Sequence, residues 1–130
     1  MNERSSVINL GGQEYELLLT TLATKQIAKR FGGLEQLGEK LMKVENFESA
    51  LEDFCWLIMV LANQPIMLHN LQQPDKKKPL LTEELLELLT SPFELGEYRD
   101  AISEAMFKGM QRNVESAPPE PGNEGNTKAE

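Results

Sequence analysis

Apolar and polar positions along the chain change period several times, and each change marks an element. Val7-Ile8-Asn9-Leu10 and Tyr15-Glu16-Leu17-Leu18-Leu19 are short β-type runs on either side of Gly11-Gly12-Gln13-Glu14. Two glycines able to take positive φ between such runs predict a β-hairpin, with strands near 6–10 and 14–19. Ile8 and Leu10 would share one face, opposite Tyr15, Leu17 and Leu19 on the partner strand. A lone hairpin is marginal in water, so the apolar face of this one should lie on helices or pair with another chain.

The period then becomes helical. Thr20 and Thr21 offer N-cap hydroxyls to a helix carrying Leu22, Ile27, Ala28 and Phe31, which Gly32 should stop after Lys29 and Arg30. A second helix is expected over Leu34–Lys43, with Leu34, Leu37 and Leu41 on one stripe. Asn46 should cap a third, whose stripe is Phe47, Ala50, Leu51, Phe54, Ile58 and Leu61. Its run from Phe54 to Ala62 is apolar on every side, as expected of a central, buried helix. Pro65 should end or kink it near Asn63, with another turn or two continuing to about Gln73. The polar stretch Pro74–Pro79 reads as a loop. Thr82 should cap a short Leu-rich helix, Ser91-Pro92 interrupts, and an amphipathic helix follows over about Phe93–Asn113. Its stripe is Tyr98, Ile102, Ala105, Met106 and Met110, with Phe107 to one side. From Ser116 the chain reads SAPPEPGNEGNTKAE, too poor in apolar side chains to offset its ordering entropy. The expected fold is therefore mainly α: an N-terminal β-hairpin packed on a bundle of about five helices in one domain (residues 1–114), then a disordered polar tail (115–130).

Composition narrows the chemistry. The 130 residues carry a formal net charge of −8, of which −5 lies in residues 1–114 and −3 in 115–130. An acidic chain lacks the clustered positive face that phosphate backbones require, so nucleic acid is not an expected partner. One Cys and one His leave no disulfide framework, no Cys/His zinc site and no thiol–imidazole pair except Cys55 with His69. Cys55 sits in the most apolar stretch, where a thiol is inert. His69 reads as a partly exposed residue near a helix end. The carboxylates Glu48/Glu52 and Glu97/Asp100/Glu104 fall on wet helix faces, unlike an acid–base pair in contrasting environments. Gly11-Gly12 and Gly32-Gly33 lack the setting of a phosphate cradle, and Lys76-Lys77-Lys78 lacks interleaved aromatics. No catalytic, metal or cofactor site is expected. Neither is a signal peptide in MNERSSVINL nor a membrane span, since the longest unbroken apolar run, Phe54–Ala62, is far below the ~20 residues required.

Methionines are the more suggestive feature. Met59, Met67, Met106 and Met110 are adaptable side chains, suited either to filling gaps in a helical core or to a groove or helix face that receives a partner. The closing helix, through Tyr98, Ile102, Met106 and Met110, is the expected partner surface.

The plan of Val7–Leu41 carries a resemblance. Strand, Gly-Gly turn, "EYELLLTT", short helix and "AKRFGGLEQLGEKL" place Gly12, Tyr15, Leu17, Thr20/Thr21, Arg30, Phe31 and Gly32 on the pattern G-x-x-Y-x-L-x-x-T followed by a helix stop. This resembles the tail assembly chaperones of long-tailed, siphovirus-type phages and prophages. The succession of elements over residues 7–113 is similar too. The resemblance implies a non-enzymatic protein that binds the tape measure protein, keeps its long hydrophobic helix soluble and helps recruit the major tail (tube) protein. It further implies self-association, residence in the host bacterial cytoplasm, absence from the finished virion, and often a frameshifted longer form. The alternative is a structural virion or head–tail connector protein.

Overall fold

In the computed structural model, residues 5–42 and 46–115 are described; the expected disordered tail lies outside them except for Glu115, which is the last residue of a helix. Among the described residues the order is β1 (Ser5–Leu10), β2 (Gln13–Leu18), α1 (Thr21–Phe31), α2 (Leu34–Met42), α3 (Phe47–Gln72), α4 (Glu83–Leu89) and α5 (Leu95–Glu115). Short 3-10 turns at Pro74–Lys76 and Pro92–Glu94 precede α4 and α5. The mainly α architecture with an N-terminal hairpin is as the sequence predicts.

The hairpin forms where the two glycines allow it. Gly11 and Gly12 take φ of 59° and 85°, the mirror-image turn whose twist matches a right-twisted ribbon. Asn9 Oδ1 accepts the Gly12 N–H at 3.1 Å. The antiparallel register pairs Ser6 with Leu17, Ile8 with Tyr15 and Leu10 with Gln13. Those pairs share a face, which buries Ile8, Leu10 and Leu17. β2 lies along α3 and β1 along α5, so the hairpin is covered by the two long helices. On the α5 side Ser6 Oγ donates to the Ala101 carbonyl at 2.7 Å. Lys108, paired with Glu104, donates to the Ser5 carbonyl at 3.1 Å. Gly109 lets α5 come close: a Cβ there would stand 2.6 Å from Leu19 Cβ.

Helix starts follow their caps. Thr20 Oγ1 accepts from Ala23 N, Asn46 Oδ1 from Ser49 N and Thr82 Oγ1 from Leu85 N, each satisfying an amide that α-helix geometry leaves unpaired. α1 stops at Gly32, whose N–H reaches the Ala28 carbonyl at 2.7 Å. α5 starts at Leu95, two residues later than the pattern suggests, because Ser91-Pro92 first winds a 3-10 turn.

α3 carries the core. Phe54, Leu57, Ile58, Leu61 and Ala62 are buried among Ile8 and Leu17 of the hairpin, Ile27 of α1, Leu86 of α4 and Ile102 of α5. Phe47, assigned to this stripe by spacing, is exposed; it opens the helix a turn and a half before the first buried residue, Asp53. As a whole α3 is more apolar than its unbroken run suggests. By length and composition alone it could cross a bilayer, and half of the 18-residue window that passes this test is buried inside the fold.

Of the two outcomes expected at Pro65, an end or a kink, the end does not occur: α3 is one helix to Gln72, close to the limit near Gln73 that the sequence suggests. A mid-helix proline costs roughly 3 kcal/mol, so contacts on both sides of it must offset that cost. Before it, Gln64 Nε2 donates to the Val60 carbonyl and Gln64 Oε1 accepts from Thr20 Oγ1. Beyond it, the extended segment 77–82 runs back along the helix and is gripped at two places. Asn63 Nδ2 donates to the Leu81 carbonyl at 3.0 Å while Asn63 Oδ1 accepts the Leu81 N–H at 2.8 Å. Asn70 makes the same pair with Lys78, at 3.0 and 2.8 Å. Seven helical residues rise about 10.5 Å and three extended residues span about 10 Å, so two asparagines two turns apart match backbone amides three residues apart.

These clamps differ in burial, which sets an expected ranking. Asn63→Leu leaves buried amide and carbonyl groups of Leu81 unpaired and should cost about 2–4 kcal/mol. The exposed clamp of Asn70 can be replaced by water, so Asn70→Leu should cost about 1 kcal/mol or less. Urea denaturation of the two variants checks this; equal losses would count against it.

Candidate functional site

The four side chains that sequence marks as partner-facing separate in the structure. Tyr98, Ile102 and Met106 are 2%, 0% and 7% exposed, whereas Met110 is 47% exposed. The reason lies in the hairpin: two strands cannot close a core, and the α5 stripe covers β1. The expectation for the first three is therefore corrected to core packing. The partner-facing part of α5 shrinks to its last described turns, where Phe107 is 57% exposed beside Met110.

Tyr98 also ties the start of α5 to the end of α4. Its phenol donates to Glu94 Oε1 at 2.7 Å and accepts the Ser91 N–H at 3.1 Å. Burial, and then the hydrogen bond to the Glu94 carboxylate, push its pKa up to about 12. Cys55 is buried against Thr90 Oγ1, 3.6 Å away. Burial raises its pKa, and the nearby Glu87 and Glu83 add to the rise, leaving an inert thiol. His69 lies near the end of α3 with Nε2 2.8 Å from the Lys76 carbonyl, steadying the turn that leads into segment 77–82. The acidic helix faces at Glu48/Glu52 and Glu97/Asp100/Glu104 are exposed, as is Lys76–Lys78. Among the described residues, no group of three or more His, Cys, Asp or Glu is placed to hold a metal ion.

What the fold does build is grooves. One, of about 370 Å³, lies between α2 and α5 and is lined by Leu34, Glu35, Gly38, Ser103, Met106, Phe107 and Met110. Gly38 contributes no side chain, so the α2 wall stays low and the apolar side chains of α5 remain reachable. A second, of about 310 Å³, has Cys55, Leu51 and Thr90 at its base and Glu48, Glu52 and Glu87 around it, and is acidic.

A third groove, of about 510 Å³, runs between α1, α3 and segment 77–82. Trp56, Met59, Val60, Asn63, Gln64 and Met67 line it from α3, Leu80 from the segment, and Gln26, Lys29 and Arg30 from α1. Its end is fixed by a packed cluster. The Arg30 guanidinium stands 4.6 Å from the Trp56 ring, and Phe31 meets Trp56 edge-on at 5.8 Å. Lys40 of α2 lies 5.6 Å from the Phe31 ring centre. Arg30 and Lys40 each stand 3.3 Å from the buried carboxylate of Asp53.

Sequence reasoning read Lys29 and Arg30 as cations suited to a helix C-terminus and Trp56 as core; it singled out Met59 and Met67 as adaptable but did not place them in a groove with Lys29 and Arg30. A signal existed in the spacing of Asp53 and Trp56, one turn apart, with an aromatic beside Arg30. What was missing was which face of an all-apolar helix the other elements leave uncovered.

No family model matches the chain, and neither curated proteins nor solved structures yield a match.

Two outcomes follow for α5 and its junction. Ile102→Ala should destabilise by about 2–4 kcal/mol, while Met110→Asp should change stability by no more than about 0.5 kcal/mol. Thermal melts separate them, and a large loss for Met110→Asp would make it core. The Tyr98 phenol, near pKa 10 when unfolded and about 12 when folded, contributes stability that is full below pH 10. As the pH rises from 10 to 12 the unfolded chain loses this proton first, so that stability is lost. Denaturation midpoints should fall more steeply across that window in the native chain than in Tyr98→Phe; parallel curves would show that the phenol is not the group responsible.

Proposed function

We propose that the chain is a tail assembly chaperone of a long-tailed phage or prophage, which holds the tape measure protein soluble and helps recruit the major tail (tube) protein. One observation carries this reading: the uncovered apolar groove between α2 and α5, where Phe107 and Met110 stand exposed on a helix whose other face is locked into the core. A holding protein needs such a surface on a framework that does not rearrange to cover it. The motif around Gly12, Tyr15, Leu17, Thr20 and Gly32 supports the same reading through its resemblance to that family. A net charge of −8 suits a protein that must keep an apolar client dispersed. Binding a client in this way asks for no catalytic group or cofactor.

Co-expression with the tape measure product of the same gene cluster tests the proposal. The soluble fraction of that product should rise several-fold with this chain. With Phe107→Asp/Met110→Asp, a variant expected to keep its melting temperature, the gain should disappear. A tape measure protein no more soluble with the chain than without it would overturn the reading.

A further inference from the structure

We infer that the groove between α1, α3 and segment 77–82 is a receptor for an amphipathic α-helix with acidic flanks. Its floor follows one stripe of α3 whose apolar members are Trp56, Met59 and Met67, with Asn63 between them hydrogen-bonded to Leu81; the eleven-residue span rises about 16 Å, or three turns of a docked helix. Two of the three are unbranched methionines, which adapt to varied apolar partners. Leu80 faces them across the groove.

Charge selects the occupant. In a chain of net charge −8, no Asp or Glu lines this groove, whereas Glu residues line the other two. Its α1 wall presents Lys29 and Arg30, and α1 carries Lys25 as well and no acidic residue at all. Segment 77–82, the opposite wall, is entered through the exposed Lys76, Lys77 and Lys78. The α1 margin, where among the described residues Lys29 is free while Arg30 is paired with Asp53, and the lysines leading into the opposite wall complement a helix with apolar residues at i, i+3, i+4 and i+7 and glutamates beside them. The α3 floor is Trp56, Met59, Val60 and Met67 with the Asn63 and Gln64 amides between them, and the Trp56 ring is already stacked with Arg30. That offers a nucleobase little free stacking surface and favours a helix over a single-stranded nucleic acid.

Trp56 is the chain's one tryptophan, so its emission reports occupancy directly. The probe is a 14-residue helical peptide with a Leu/Met stripe and Glu flanks, compared with the same peptide carrying Lys flanks. The Glu-flanked peptide should shift Trp56 emission to the blue in a saturable titration and bind about tenfold tighter than the Lys-flanked one. Its affinity should fall several-fold at ~0.5 M salt. Lys29→Glu, at an exposed position, should weaken binding about tenfold with an unchanged far-UV spectrum. Leu80→Ser should weaken both peptides. Equal binding of the two peptides, or no emission change with either, would overturn the inference. So would a larger response to oligothymidine of matching charge, an emission shift driven by protein concentration alone, or one produced by deleting residues 116–130. The last two would assign the groove to a second copy or to the chain's own tail. The assay contains no tape measure protein, so its failure leaves the chaperone proposal standing, and failure of that proposal leaves this groove untouched.

Discussion

Helix α3 must be surrounded. From Phe54 to Ala62 it offers no face that water tolerates, and one neighbour cannot cover a cylinder that is apolar on all sides. The hairpin covers one side, α5 another, and α4 and α1 most of the rest, each contributing a fully buried aliphatic side chain: Leu17, Ile102, Leu86 and Ile27. None of these partners is self-sufficient. A two-stranded ribbon and a seven-residue helix are both marginal in water, and each gains its stability from the apolar area it removes from α3. The fold is thus one helix and the elements recruited to cover it.

That dependence explains what could be read from the sequence and what could not. Local rules act within a few residues, and the features they govern were legible: the Gly11-Gly12 turn, the threonine and asparagine caps, the stop at Gly32 and the Glu104–Lys108 pair. Whether Pro65 would end the helix or only interrupt it was not legible, because the contacts that carry the helix past it are tertiary. Asn63 and Asn70 look like ordinary polar residues until segment 77–82 lies along them. The α5 stripe was misassigned for a related reason. An amphipathic face identifies a surface that must be covered, but not whether the cover comes from the same chain. For Tyr98, Ile102 and Met106 it does, and for Met110 it does not.

Polar contacts here select among arrangements rather than supply most of the stability. The Asn63 clamp contributes little against water, yet it fixes where segment 77–82 lies, since any other register leaves the buried amide of Leu81 unpaired. By fixing Leu81 it also fixes Leu80 on the adjoining wall of the α1–α3 groove. The width of that groove is thereby set by an amide pair two turns along α3 from the Trp56 it faces.

Asp53 has the same role at the other end. Exposed ion pairs are worth little, and Arg30 and Lys40 are both partly in water. The carboxylate they share is buried, however, and a buried charge without partners is expensive. α1 and α2 are consequently held to α3 at one point, while the fully buried Leu37 is the apolar anchor of α2 in the core. α1 is a wall of the cationic groove and α2 is a wall of the apolar groove against α5. A single buried carboxylate therefore positions one wall of each, so the two grooves share an anchor.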